Sequence, residues 1–133
     1  MNVQTKSIIM NSIVIILLSL LLLFAGTWWR MSSQFSMGEE ALRKGDFTGA
    51  VAGYESALHM YIPSHPTIEK AAEKLWQIGE TNERLGDVNR ALIAYRSLRS
   101  SFYADRWFVT PGMIWIEKCD KKIAALIPLQ QER

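Results

Sequence analysis

The stretch Gly79-Glu80-Thr81-Asn82-Glu83-Arg84-Leu85-Gly86-Asp87-Val88-Asn89-Arg90-Ala91-Leu92-Ile93-Ala94-Tyr95 decides the fold of this chain, because Gly38 to Tyr54 repeats its skeleton. In both stretches a glycine is followed seven residues later by Gly-Asp, at Gly45-Asp46 and Gly86-Asp87. Alanine then stands five residues beyond that second glycine (Ala50, Ala91) and tyrosine nine beyond it (Tyr54, Tyr95). Each position answers a physical demand. Gly-Asp supplies a left-handed residue that ends one helix and an acceptor that opens the next. Gly38 and Gly79 lack a Cβ and so let a second helix approach. Ala50 and Ala91 suit the tight crossing, and Tyr54 and Tyr95 fill the core of each hairpin.

Periodicity supports the same hairpins. Phe47, Ala50, Val51, Tyr54, Ala57 and Leu58 share one helical face, as do Val88, Ala91, Leu92, Tyr95 and Leu98. Leu75, Ile78, Gly79, Asn82 and Leu85 form the matching stripe on the helix between them. Nothing alternates with period two, so no strand is expected. The segment Tyr61-Ile62-Pro63-Ser64-His65-Pro66 reads as a loop that starts a long helix near Thr67. Thr110 followed by Pro111 reads as an N-cap and first-turn proline, opening one capping helix over residues 111 to 126.

The doubled G-(x6)-G-D-[FV]-x-x-A-x-x-x-Y core resembles the tetratricopeptide repeat, a helix-turn-helix unit of about 34 residues. The resemblance covers residues 31 to 126. It departs from the family at Gln34, where a large apolar residue is preferred, and in the 41 residues from Gly45 to Gly86. It implies an all-α domain of about two antiparallel helical hairpins plus a C-terminal capping helix. Residues 127 to 133 would be a tail. Gly112, Cys119-Asp120 and Ala124 trace a degenerate third unit.

Ahead of this domain lies a different kind of sequence. Residues 8 to 29 carry no charge, while nearly all Lys, Arg, Asp and Glu fall from Arg30 onward. As a helix these residues extend about 33 Å, against a hydrocarbon core of about 30 Å. Trp28, Trp29 and Arg30 then supply an interfacial belt. A cleaved signal peptide has a shorter apolar run, and the one small-x-small candidate here, Ala25-Gly26-Thr27, precedes two tryptophans. The reading is therefore a short stub (1 to 7), an uncleaved transmembrane helix (8 to 29) and the helical domain. The short stub favours a domain outside the cytoplasm, on a single-pass protein of the cytoplasmic membrane. Between Thr27 and Met37 two courses stay open: the membrane helix runs on unbroken, or Ser36 caps a new helix with Glu39 as its partner.

Composition argues against several functions. A formal charge of +2 on 133 residues, without a basic stripe, does not point to nucleic acid. One cysteine, Cys119, leaves no internal disulfide. Its neighbours Glu117 and Asp120 raise rather than lower a thiol pKa. His59 and His65 flank a proline turn without further metal ligands nearby in sequence. No phosphate loop, nucleophile elbow or dinucleotide fingerprint occurs. The sequence predicts no catalytic site, metal or cofactor.

What remains is binding. The resemblance implies that the first helix of each hairpin lines a concave groove, which here carries Phe35, Glu39, Arg43, Trp76, Glu80, Glu83 and Arg84. Trp76 stands off the core stripe among charges. It is either an interface anchor or a residue packed under a neighbouring helix. The aromatics from Phe102 to Phe108 either fold inward or form a patch for a partner or the bilayer surface. The expected function is a membrane-anchored adaptor or scaffold for other proteins, of the kind that bacterial-envelope tetratricopeptide proteins provide. Two and a half repeats make a short stack, which a partner or a second copy would complete. The alternative is a structural subunit of a larger membrane complex, joined through Asn11, Ser12 and Ser19 in the transmembrane helix.

Overall fold

Both Gly-Asp pairs close the chain in the same way in a computed structural model, which describes residues 2–105 and 111–132. Gly45 (φ 73°) and Gly86 (φ 75°) take the left-handed conformation. The amide of Asp46 then donates to the Ala41 carbonyl, and that of Asp87 to the Asn82 carbonyl, each at 2.9 Å. These are the six-to-one bonds of a Schellman ending. The same aspartates open the next helix: Asp46 Oδ1 accepts from the Gly49 amide at 2.9 Å and Asp87 Oδ1 from the Arg90 amide at 3.0 Å.

These turns divide the described residues into five helices and no strand: α1 (Val3–Arg43), α2 (Phe47–His59), α3 (Pro66–Arg84), α4 (Val88–Ala104) and α5 (Met113–Gln131). α1 runs unbroken through Ser36, so the membrane-type segment and the first domain helix are one rod of 41 residues, about 62 Å long. No residue of its apolar window is buried by the rest of the chain. Burial begins at Met31 and includes Gly38, where α2 packs back along α1. α3 pairs with α4, α4 with α5, and α2 bridges the first pair to the second. By length and composition α1 can cross a membrane.

The core runs along the faces that periodicity marks. Tyr54, Leu58, Leu75, Leu92, Tyr95 and Leu98 are essentially inaccessible. An added Cβ on Gly79 would overlap the Tyr95 ring, and one on Gly38 would stand 3.0 Å from the Tyr54 ring. Gly53, which the repeat pattern does not mark, sits directly against the backbone of α1 at Gly38. Its added Cβ would lie 2.6 Å from Cα of Gly38.

Four expectations need correction. Leu85 is 76% exposed because it is the C-cap of α3, past the last turn that faces the core. Pro111 is not the first residue of a helix: α5 begins at Met113, capped by left-handed Gly112, where a Cβ would collide with Phe102. Thr110 lies outside the described residues. Ala124 is exposed, so it does not repeat the buried Ala91. α3 opens at Pro66, beside the expected Thr67, with His65 Nδ1 accepting from the Thr67 amide at 3.2 Å. α5 continues through Pro128 to Gln131, beyond the boundary at 126.

Candidate functional site

Side-chain ties link α1 to α3 and α3 to α5. Lys74 of α3 reaches Glu39 of α1 at 2.9 Å, and Lys122 of α5 reaches Glu83 of α3 at 2.8 Å. Each carboxylate is also held by a tyrosine of the helix that follows its own. The Tyr54 hydroxyl donates to Glu39 at 2.6 Å and the Tyr95 hydroxyl to Glu83 at 2.9 Å. Each repeat tyrosine thus carries a buried ring with a polar end, and that end finds a partner at the rim of the core.

The electrostatics follow from this arrangement. The Tyr54 hydrogen bond, with help from Lys74, holds the Glu39 carboxyl below its ordinary range. Burial works against ionisation of Glu83, but hydrogen bonds from Lys122 and Tyr95 outweigh it and lower its pKa. Burial, reinforced by the adjacent carboxylates, pushes both tyrosine hydroxyls well above the ordinary phenol range. Both therefore stay protonated as donors.

Trp76 is half-buried and packs between neighbouring helices. One side packs on Tyr95, with ring centroids 5.0 Å apart, and α5 brings Trp115 to 6.1 Å. Lys118 Nζ stands 4.4 Å from the centroids of both indoles, a cation–π arrangement worth about 0.5–1 kcal/mol where solvent reaches it. Trp115 Nε1 donates to Glu69 at 3.2 Å. Both tryptophans remain half-buried, so the seam between α3 and α5 presents an aromatic pair crossed by a lysine.

The other expected binding residues separate into two groups. Phe35 turns inward, its ring edge-on to Tyr54 at 5.4 Å. Arg43 and Arg84 are exposed and Glu80 is half-buried. Glu80, Glu83, Arg84 and Lys122 line a single open hollow beside the aromatic pair. Trp115, Lys118 and Lys122 complete the surface and were not expected there. Their spacing of three and four places them on one face of α5, a stripe legible in the sequence once that helix is known to lie beside α3.

Elsewhere the ionisable groups have structural work. Cys119 is buried against α4, and burial, with Asp120 beside it, pushes its thiol up to about 12. His65 caps α3 and His59 is exposed at the end of α2. Among the described residues no group of three His, Cys, Asp or Glu side chains converges as a metal site would. Of the aromatics from Phe102 to Phe108, Phe102 is buried and Tyr103 lies under the Arg99 guanidinium. Arg106, Trp107 and Phe108 lie outside the described residues. Comparison of the chain with protein-family models, with curated proteins and with solved structures gives no match.

Proposed function

We propose that the chain is a single-pass membrane-anchored adaptor, built like a short tetratricopeptide stack, that holds another protein against the seam of α1, α3 and α5. The observation that carries this reading is the half-exposed Trp76–Trp115 pair, with Lys118 over both rings and the Glu80–Glu83–Arg84–Lys122 hollow beside it. Aromatic anchors rimmed by charge are the usual composition of protein-binding hot spots. The charges are mixed in sign, which favours a partner surface carrying both signs over a purely acidic tail. α1 would hold the domain in the membrane, with the domain outside the cytoplasm.

A photo-crosslinking residue at Glu80, with Ile93 on the outer side of α4 as control, tests this in cells expressing the full chain. Capture of one protein from position 80, absent from position 93 and lost on Lys118→Glu, is the expected result. Capture from Ser12 or Ser19 alone would transfer the interaction to the membrane helix and favour a subunit of a larger complex.

A further inference from the structure

The helix directions sort the loops of this domain by distance from the membrane segment. α1 leads away from that segment and ends at Arg43, α2 returns, α3 leads away and α4 returns. The connection from Met60 to His65 and the start of α5 therefore lie at the membrane end, and the two Gly-Asp turns lie at the far end. Their chemistry differs accordingly. The far turns carry Arg43, Lys44 and Asp46, and Arg84, Asp87 and Arg90. The near connection reads Met60-Tyr61-Ile62-Pro63-Ser64-His65, without a carboxylate, lysine or arginine.

The near connection also touches α1 well below the point where α1 enters the domain. Tyr61, Ile62 and Pro63 line one apolar cleft with Leu20, Leu23, Phe24 and Thr27. One turn further along, the Trp28 and His65 rings meet edge to face at 5.4 Å. Leu20 lies about 10 Å along the helix axis from Thr27. Leu20, Leu23 and Phe24 are themselves exposed and belong to the apolar run. A loop that shares a cleft with them shares their solvent.

We infer that Tyr61-Ile62-Pro63 is a second membrane contact, seated at the headgroup–acyl boundary of the leaflet that α1 leaves. The inference rests on α1 crossing the bilayer. Tyrosine and tryptophan favour that level, and interfacial segments lie about 5–10 Å deep. The backbone sets the limit of insertion. Groups in the hydrocarbon centre must be satisfied internally, whereas this loop makes few internal bonds, among them His65 amide to Ile62 carbonyl at 3.1 Å. The boundary, where water still reaches the remaining groups, is the level that satisfies both the side chains and the backbone. Exposed Ile114, at the start of α5 and on the same end of the domain, extends the apolar edge. The rod and the loop together hold the domain at a fixed tilt, with Arg43 and Arg84 pointing away from the lipid.

Site-directed spin labelling of the full chain in phosphatidylcholine–phosphatidylglycerol liposomes tests this by collision with oxygen and with a water-soluble nickel chelate. Labels go on Ile62→Cys, Ser19→Cys near the middle of the apolar run, and Arg84→Cys, and buried Cys119 is checked by labelling the unaltered chain. If Ile62→Cys loses native circular dichroism, Pro63→Cys on the exposed tip replaces it. The expected result is a label at 62 or 63 with oxygen access above nickel access, between the deep label at 19 and the aqueous label at 84. A loop label as aqueous as position 84, with position 19 still deep, overturns the second contact and leaves the anchor standing. An aqueous label at position 19 overturns the anchor and this inference with it.

Discussion

Replacing Gly53 by alanine sets two effects of opposite sign against each other. Within a solvated helix the change is favourable by about 1 kcal/mol, because glycine loses more backbone entropy. In this chain the new Cβ would lie 2.6 Å from Cα of Gly38 and 3.0 Å from the Gln34 carbonyl oxygen. Both are backbone atoms of α1, so no rotamer change relieves the overlap. The Gly38 amide nitrogen is nearer still, at 2.5 Å, so restoring an ordinary 3.4 Å contact requires α1 and α2 to part by about 0.9 Å. That loosens Tyr54, Phe35 and the Glu39 hydrogen bond together. Overpacking costs about 1–3 kcal/mol, and a rigid neighbour places this site near the top of that range. The net loss is then about 2 kcal/mol, or about 8–16 °C in Tm for a domain of this size. Near-ultraviolet circular dichroism of the full chain in detergent micelles reads it, since that signal follows tyrosine and tryptophan packing. Gly26→Ala is the control: nothing lies within 4 Å of its added Cβ, and its Tm should be unchanged or slightly raised. A Tm for Gly53→Ala at or above that of the unaltered chain would refute the backbone contact, leaving helix propensity to decide.

The Tyr95 hydroxyl donates to a carboxylate that Lys122 also holds. Tyr95→Phe should therefore cost about 1–2 kcal/mol, near the range for bonds to charged groups, and equal stability in urea titration would show that Lys122 alone satisfies Glu83. Glu39 and Glu83 have folded pKa values below the ordinary 4.5. Their contribution is thus fully present above about pH 4.5 and is lost as pH falls through the lowered values. The double variant Glu39→Gln/Glu83→Gln should flatten the acid limb of a stability–pH profile, and an unchanged limb would assign acid sensitivity elsewhere. With its thiol pushed up to about 12, Cys119 should react with an aromatic disulfide at pH 8 only after denaturant is added; prompt reaction of the folded chain would place it at the surface.

The sequence by itself determined the local structure of this protein, because those features depend on residues a few positions apart. Gly45-Asp46 and Gly86-Asp87 specify a helix ending and a helix start through backbone geometry and one side-chain acceptor. The 3–4 spacing around Tyr54 and Tyr95 specifies which face is apolar, and the uncharged run from Ile8 to Trp29 specifies a helix long enough to cross a membrane. Periodicity reports that a face must be covered; it does not report by what. That Phe35 turns inward, that α5 lays Trp115, Lys118 and Lys122 beside Trp76, and that Glu39 and Glu83 receive tyrosine hydroxyls all depend on how the helices cross. Gly53 matters because α2 meets Gly38 at one point of one crossing. Only the tertiary structure decided these matters, since each contact joins residues far apart in the chain and is chosen by shape, where no local pattern speaks for it.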